Sequence, residues 1–428
     1  MSDLLFAKKL RRSGIRISAC LLFLVIFFAL AAAAETIRYE RPGNRRASDF
    51  LPADMIAGPH YRIQEKVVSY GYMDNFTVDS DFGSFNVTGD GALRKLLKEI
   101  NAIAVLRKVS TSKAYLESVR KAGRMPIEFG ENLITDPVDT LSGIPKGVSR
   151  LFSNVQTNLN SPKNPSEDSS LKQALTVASY KRDYAYSLGV DVYSSNSVLQ
   201  KELNRVGWAG AAGSLSVSAA LLPLGGPAAL TVSYTRLGEQ FNNLLKEEPP
   251  ARLRQINAEK LTNMGMPKDL VEKYLDHPAY TPRHNTIMVG SLAEMKGTRG
   301  VDGFIQLSLA ADDEETANFF TNMAEILRGY HAEISPIRQI STVPPLAFAR
   351  SADGNLLIPF PLDYGMWTEK ASTAVPKLIT HYRQSNPPVK GKHLLWVTGS
   401  VTPLAKKELG KLGIEVVEHV DRRIELMD

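Results

Sequence analysis

Cysteine is nearly absent from this chain of 428 residues, which has one, Cys20. A single cysteine excludes an intramolecular disulfide and any zinc site built on several thiolates. Cys20 also lies inside an apolar run rather than at its end, so it does not fit the modified cysteine of a lipoprotein signal. The fold must therefore be held by burial of apolar groups and by hydrogen bonds, without covalent cross-links.

Outside residues 1–34, the chain also lacks a clear excess of positive or negative charge. The whole chain carries a net charge of +6, and residues 1–34 contribute five basic side chains and one acidic one. The remaining chain has 46 basic and 44 acidic side chains, a net charge of +2. Proteins that bind nucleic acids usually concentrate positive charge on one face, so we expect no nucleic-acid partner.

The first 34 residues have the pattern of a secretory signal peptide. A basic head precedes an uncharged run from Ile17 to Leu30, and four alanines follow directly before Glu35. Small residues at Ala32 and Ala34 satisfy the rule for cleavage by signal peptidase. The pattern predicts export to the periplasm or out of the cell, with a mature chain that begins at Glu35.

An uncleaved membrane anchor is the alternative interpretation of the same segment. Residues 17–34 number 18, which is just enough for a helix to span a hydrocarbon core of about 30 Å. In that case the protein would stay attached to the inner membrane. The alanines at the end of the segment favour cleavage.

Two patterns organise the N-terminal part of the chain. From His60 to Val87, β-branched and aromatic residues are interrupted by glycine, asparagine and aspartate, which predicts an antiparallel meander. From Gly91 to Val109, leucine and isoleucine recur at intervals of three and four residues, which predicts a helix. Residues 156–170 contain one aliphatic side chain in fifteen and cannot bury enough apolar surface to order themselves, so we expect an exposed linker there.

The C-terminal part alternates strand and helix patterns. A hairpin turn at 352–355 separates two apolar segments, Leu346–Arg350 and Leu356–Phe360. We further expect a helix at 372–382, a strand at 393–398, a helix at 403–412 and a strand at 414–419.

These patterns predict an α+β fold that is mostly helical. The expected organisation is a signal peptide at 1–34, an extended lead-in at 35–55, an N-terminal domain at 56–155 with a small β-meander plus helices, a linker at 156–170, an all-helical central domain at 171–340 and a C-terminal α/β domain at 341–428.

The segment from Val206 to Thr235 is thirty residues long and carries no charge. Small residues recur four apart in its first half, which lets helices approach closely, as they do in membranes. One interpretation is a hairpin buried inside the helical domain, since each arm is short for a membrane span. The other is a contact with a membrane or a partner. For that contact the candidate residues are Gly207, Gly210, Gly213 and Leu221.

Two histidines and a carboxylate lie close together on a loop stiffened by prolines. Asp276, His277 and His284 are side chains of the types that bind zinc and other divalent ions. Their spacing matches no standard metal motif, because a helical His-Glu-x-x-His arrangement is missing. A divalent metal at these three residues is the cofactor that the sequence suggests; a structural loop is the alternative.

The residues Gly399, Ser400 and Thr402 connect a predicted strand to the start of a predicted helix. Free N–H groups and the helix dipole favour anions at such a position. The segment lacks the three glycines of a dinucleotide-binding loop and the lysine of a P-loop. Thr402 as a simple helix cap before Pro403 explains the same residues.

Catalytic motifs are missing beyond these candidates. The chain has no Gly-x-Ser-x-Gly nucleophile elbow, and export would leave it without a thiol. We therefore expect a non-catalytic binding or scaffolding protein of the cell envelope, with an envelope protein or the membrane surface as its partner. The alternatives are an exported metal-dependent hydrolase using the loop from Asp276 to His284 and a membrane-inserting effector using residues 206–235. The sequence does not indicate an oligomeric state.

Overall fold

The computed structural model describes residues 39–113, 115–117, 165–211, 217 and 236–427. The predicted signal peptide therefore lies outside the described residues. So do most of the expected linker and most of the uncharged segment, with Gly213 and Leu221 among them.

A six-stranded antiparallel sheet forms the N-terminal domain. Its central strand pairs with three neighbours, and apolar side chains alternate along it. The strands are β1 (Asn44–Arg46), β2 (Ala57–Gly58), β3 (Tyr61–Ile63), β4 (Lys66–Ser69), β5 (Asp74–Ser80) and β6 (Gly83–Thr88), with a short helix α1 (Ala53–Ile56) between β1 and β2. The predicted meander is present, with β5 at its centre.

Helix α2 (Asp90–Ser110) follows the sheet and joins two hydrophobic clusters. Its first half packs against the sheet through Leu93, Leu96, Leu97 and Ile100. Its second half packs against the central helices through Ile103 and Leu106. The three- and four-residue spacing of these side chains makes one apolar stripe, which is why a single helix can cover both surfaces.

The central region is helical throughout. Apolar side chains of its later helices form the largest hydrophobic cluster of the described chain, together with one face of the C-terminal sheet. The helices are α3 (Pro165–Ser187), α4 (Ser197–Ala211), α5 (Arg236–Glu247), α6 (Pro250–Asn263), α7 (Lys268–Leu275), α8 (Pro282–Glu294), α9 (Val301–Ser308) and α10 (Glu314–Glu333).

A five-stranded mixed sheet forms the C-terminal domain, in the order β13-β11-β9-β8-β7. Its strands are β7 (Ile337–Val343), β8 (Leu346–Ser351), β9 (Leu356–Phe360), β11 (His393–Val397) and β13 (Ile414–Val417). The strands β9, β11 and β13 are parallel, and β7, β8 and β9 are antiparallel. A short parallel pair, β10 (Tyr364–Gly365) and β12 (Ser400–Val401), lies beside them.

Helices cover both faces of this sheet. On one face α10 packs its Tyr330 ring edge-on against Trp396, with ring centroids 4.8 Å apart. On the other face α11 (Glu369–Ser385) and α12 (Pro403–Lys411) share a second cluster with Phe348 and Ile358. Both faces are buried, so the strands are nearly continuous apolar runs, as expected for parallel strands.

The predicted α+β, mostly helical fold is confirmed. Three secondary-structure elements lie outside the segments where they were expected. Strand β1 lies in the segment predicted as an extended lead-in, because Asn44–Arg46 pair with β4. Helix α3 begins at Pro165, inside the predicted linker, since proline and the acidic residues after it suit a first helical turn. Strand β7 begins at Ile337, before the expected start of the C-terminal domain.

None of the helices in the described part of the chain combines the length and the apolarity that a crossing of the bilayer requires.

Candidate functional site

The carboxyl ends of three parallel strands lie side by side in the C-terminal domain. Because β9, β11 and β13 are neighbours with the same direction, the residues that follow them meet at one edge of the sheet. These residues are Asp363, Thr398–Ser400 and Glu418–His419. Open α/β sheets usually bind ligands at this edge, so it is the candidate functional site. We call it the carboxyl edge.

The predicted anion-binding residues Gly399, Ser400 and Thr402 all lie at the carboxyl edge. Gly399 is in contact with the main chain of Asp363, and a β-carbon at that position would collide with the Asp363 carbonyl oxygen. Thr402 caps α12, where its hydroxyl oxygen accepts a hydrogen bond from the Ala405 N–H at 3.2 Å. The structure therefore brings the predicted residues together at the start of a helix.

The start of α12 is occupied by carboxylates of the chain itself. Glu40 accepts hydrogen bonds from the Thr402 hydroxyl and from the Trp367 N–H, both at 2.7 Å. Glu418 accepts a hydrogen bond from the Val401 N–H at 2.7 Å and one from Lys406 at 2.8 Å. Burial opposes the ionisation of Glu418, but these bonds outweigh it and lower its pKa. Two carboxylates of the chain thus bond to the cap residue Thr402 and to the N–H of the residue before it.

Ser400 and His419 form a pair that the sequence analysis did not identify. The Ser400 hydroxyl oxygen lies 3.1 Å from His419 Nε2, a separation suited to a nucleophile and its general base. His419 has a left-handed backbone with φ of 53°, and such strain is often found at functional sites. An acyl-transfer enzyme would also need N–H groups directed at the substrate oxygen.

The main-chain N–H groups beside this pair are used within the fold. The N–H of Ser400 donates to the Asp363 carbonyl oxygen at 3.0 Å, and the N–H of Thr402 donates to Gly365 at 2.9 Å. The Val401 N–H donates to Glu418, as described above. These three donors, which belong to Ser400 and the two residues after it, are therefore not available to stabilise an oxyanion.

The N-terminal domain covers the carboxyl edge with the turn between β4 and β5. The Tyr72 carbonyl oxygen accepts a hydrogen bond from the Asp363 N–H at 2.9 Å, and the Gly71 carbonyl oxygen accepts one from the Met366 N–H at 2.8 Å. Residues from the two sheets thus bond main chain to main chain. The place where a ligand would enter an open α/β sheet is filled by this turn.

Asp363 is the central carboxylate of this contact. Its two oxygens accept hydrogen bonds from the Asp74 N–H at 2.8 Å and from the Asp90 N–H at 2.9 Å. Burial raises the pKa of Asp363 to about 7. The two N–H bonds oppose this rise, and the neighbouring carboxylates of Asp74 and Asp90 reinforce it.

The predicted metal residues Asp276, His277 and His284 are close in sequence but make separate contacts. Asp276 accepts hydrogen bonds from Arg254 at 2.8 and 3.2 Å. His277 Nδ1 accepts one from the Ala279 N–H at 3.4 Å. The ring of Tyr280 lies beside both imidazoles, with centroids 5.5 Å from His277 and 6.3 Å from His284.

His284 acts as part of the cap of α8. Its Nδ1 accepts a hydrogen bond from the Thr281 N–H at 3.2 Å, while the Thr281 hydroxyl oxygen accepts one from the His284 N–H at 3.3 Å. His284 Nε2 lies 2.8 Å from Asn318 Oδ1. Across the described residues, no three His, Cys, Asp or Glu side chains are grouped in a way that could hold a metal ion.

Two of the four residues predicted for a membrane or partner contact are described, and both are buried within the chain. A β-carbon on Gly210 would collide with the ring of Tyr180, and one on Gly207 would crowd Lys181. The small residues of α4 thus allow its close packing on α3. The other two residues, Gly213 and Leu221, lie outside the described part of the chain.

Comparison of the chain with protein-family models, with curated proteins and with solved structures gives no match. Its possible activity must therefore be argued from the geometry of the carboxyl edge.

We predict that His277 and His284 have structural roles. Replacing either with glutamine should lower the free energy of unfolding by about 1 kcal/mol, the usual effect of losing one hydrogen bond. The His284→Gln variant should be mild because glutamine can occupy the same position of a capping box. Thermal melting of the purified protein, with and without a chelator, measures both effects.

A chelator should leave the melting temperature unchanged. If elemental analysis instead finds one equivalent of zinc, and the double glutamine variant loses it, the loop is a metal site.

Proposed function

We propose that this chain is an exported, non-catalytic binding or scaffolding protein of the cell envelope. The leader pattern in residues 1–34 supports export, and the near absence of cysteine is compatible with an oxidising compartment.

One observation carries the non-catalytic part of the proposal: the polar groups at the carboxyl edge bond to each other and to the N-terminal domain. Glu40 and Glu418 occupy the start of α12, and the turn between β4 and β5 covers Asp363. A catalytic site needs donors and acceptors that stay available for a substrate. Here those groups hold two domains together.

An exposed apolar stripe on the N-terminal sheet supports a binding role. Val68 lies on β4, Tyr70 and Tyr72 lie in the turn that follows it, and the exposed fractions of the three side chains are 37%, 54% and 46%. Tyrosine is enriched in protein interfaces, where its ring packs while its hydroxyl stays hydrated. This stripe is the surface that we assign to an envelope partner.

The pair of Ser400 and His419 favours a second candidate function, an esterase or related acyl-transfer activity. Its 3.1 Å separation is the supporting observation. The metal-dependent hydrolase has less support, because Asp276 is bonded to Arg254 and the two imidazoles have different hydrogen-bond partners, Ala279 and Asn318. Membrane insertion rests on a segment that is mostly outside the described residues.

We predict that Ser400 is not an activated nucleophile. Incubating the purified protein with a fluorophosphonate probe should give no stoichiometric adduct at Ser400, because the surrounding N–H groups cannot stabilise the oxyanion. Intact-mass measurement followed by peptide mapping checks this. The esterase hypothesis would be supported by labelling at Ser400 that the His419→Gln variant abolishes and the distant His277→Gln control retains.

We also predict that the exported form begins at Glu35 or within two residues of it. Amino-terminal sequencing of the protein recovered from the periplasm or medium measures this. A chain that keeps residues 1–34 and sediments with the inner membrane would contradict cleavage and indicate an anchor.

A further inference from the structure

Three carboxylates from both domains meet where the N-terminal domain covers the carboxyl edge. Asp74 begins β5 and Asp90 begins α2, while Asp363 lies between β9 and β10. The side chain of Asp363 bonds to the main-chain N–H groups of the other two residues at 2.8 and 2.9 Å. We call these three residues the aspartate cluster.

The aspartate cluster has fewer cations than carboxylates. Asp74 pairs with Arg45, and Asp90 pairs with Arg94 at 2.9 Å. The Arg45 guanidinium lies over the rings of Phe50 and Tyr364, 3.9 and 4.0 Å from their centroids. With all three aspartates ionised, one negative charge would have no matching arginine in the cluster. A buried uncompensated charge is strongly unfavourable.

Two oxygens of the cluster also lack a hydrogen-bond donor in the described structure. Asp74 is fully buried, and its Oδ1 has no bonding partner even though the hydroxyl of Ser69 lies close enough to affect its ionisation. Asp90 Oδ1 is also buried and without a partner, although the Asp90 side chain as a whole is 38% exposed. Buried acceptors are normally satisfied. A proton carried by one aspartate would supply both the missing charge and a donor.

We propose that the aspartate cluster binds one proton from solvent at neutral and acidic pH, and that loss of this proton loosens the contact between the N-terminal sheet and the carboxyl edge. The proton forms an O–H bond on one carboxylate of the cluster and removes one of its three negative charges. When it leaves, three anions remain between two arginines. The contact then becomes weaker because like charges repel at short distance.

The ionisation behaviour of Asp363 agrees with this arrangement. Burial raises its pKa to about 7, from an ordinary value of 3.8. The pKa of Asp363 is higher in the folded protein than in the unfolded chain, so binding the proton stabilises the folded state. This contribution to the free energy of unfolding is fully present below pH 4. It is lost as the pH rises from about 4 through 7, where the folded carboxyl itself ionises.

Other ionisable groups surround the cluster and must be considered with it. They come from the N-terminal sheet and the turn after β4, from helix α2, from the central helices and from the carboxyl edge. They are Arg45 on β1, Tyr72 in the covering turn, Arg94 on α2, Glu315 on α10, Tyr364 on β10 and His419 after β13. His419 carries an imidazole next to Ser400 at the carboxyl edge, so it has its own control.

The test compares melting temperatures of the full-length protein at pH 5.5 and pH 8.5. From pH 5.5 to pH 8.5, the melting temperature of the unmodified protein should fall by roughly 3 °C or more beyond any fall in the Asp363→Asn variant. The amide of that variant stays neutral, but its NH2 group cannot accept the main-chain hydrogen bond that one oxygen of Asp363 accepts. The readout is therefore the change of melting temperature with pH within each variant, not the absolute melting temperature. Two controls, Asp421→Asn at an exposed carboxylate and His419→Gln, should keep the pH dependence of the unmodified protein. The same pH dependence in the Asp363→Asn variant would overturn the proposal.

A second measurement needs no substitution, in case Asp363→Asn does not fold. In ¹³C NMR spectra of protein labelled at the aspartate carboxyl carbons, one resonance should titrate with a midpoint near pH 7. If every aspartate titrates below pH 5, the cluster holds no proton at neutral pH and the proposal is wrong. Both readouts use purified protein, so they do not depend on export or on a binding partner.

Discussion

The carboxylate of Asp363 accepts two main-chain hydrogen bonds from the N-terminal domain, and much of the architecture depends on them. One of these donors is the N–H of Asp90 at the start of α2, a helix of 21 residues. The first N–H groups of a helix have no partner inside it and need an acceptor. Here that acceptor is Asp363, in the loop between β9 and β10, so the start of α2 is hydrogen-bonded to the C-terminal part of the chain.

Glu40 makes a similar contact, in which the N-terminal part of the chain supplies the acceptor and the C-terminal part supplies the donor. It belongs to the N-terminal part of the chain, and its carboxylate binds at the start of α12 in the C-terminal domain. Each end of the chain therefore supplies a carboxyl group to the start of a helix in the other, Asp363 to the Asp90 N–H and Glu40 to the Thr402 hydroxyl. The same chemistry that lets such helix ends bind phosphates or substrate carboxylates is used within the fold. This is the physical basis of the proposed binding or scaffolding role.

Local patterns predicted most elements but not the contacts between them. The stripe of Leu93, Leu97 and Ile100 predicted α2, and the hydroxyl of Thr402 correctly indicated a cap. Strand β1 could not be predicted because three residues form it, and they depend on a partner strand about twenty residues later. In the loop from Asp276 to His284, the three predicted metal ligands are close in sequence, but each bonds to a different partner.

The role of Asp363 could not be predicted from the sequence, for a related reason. Asp363 looks like an ordinary loop aspartate, since its partners at positions 74 and 90 are more than 270 residues away. Only the fold makes them neighbours. In contrast, the pairing of Ser400 with His419 had a weak signal. Ser400 follows one predicted strand and His419 ends the next, and two strands joined through a helix are usually parallel.

Hydrogen–deuterium exchange, followed by mass spectrometry, tests most directly whether the N-terminal domain covers the carboxyl edge. The informative peptides are those covering residues 69–76, 88–94 and 361–368. If the covering contact is real, all three should exchange slowly at pH 6 and lose protection together when the protein opens. Rapid exchange of residues 69–76 and 88–94, while β9 and β11 stay protected, would mean that the domains are not held together in this way.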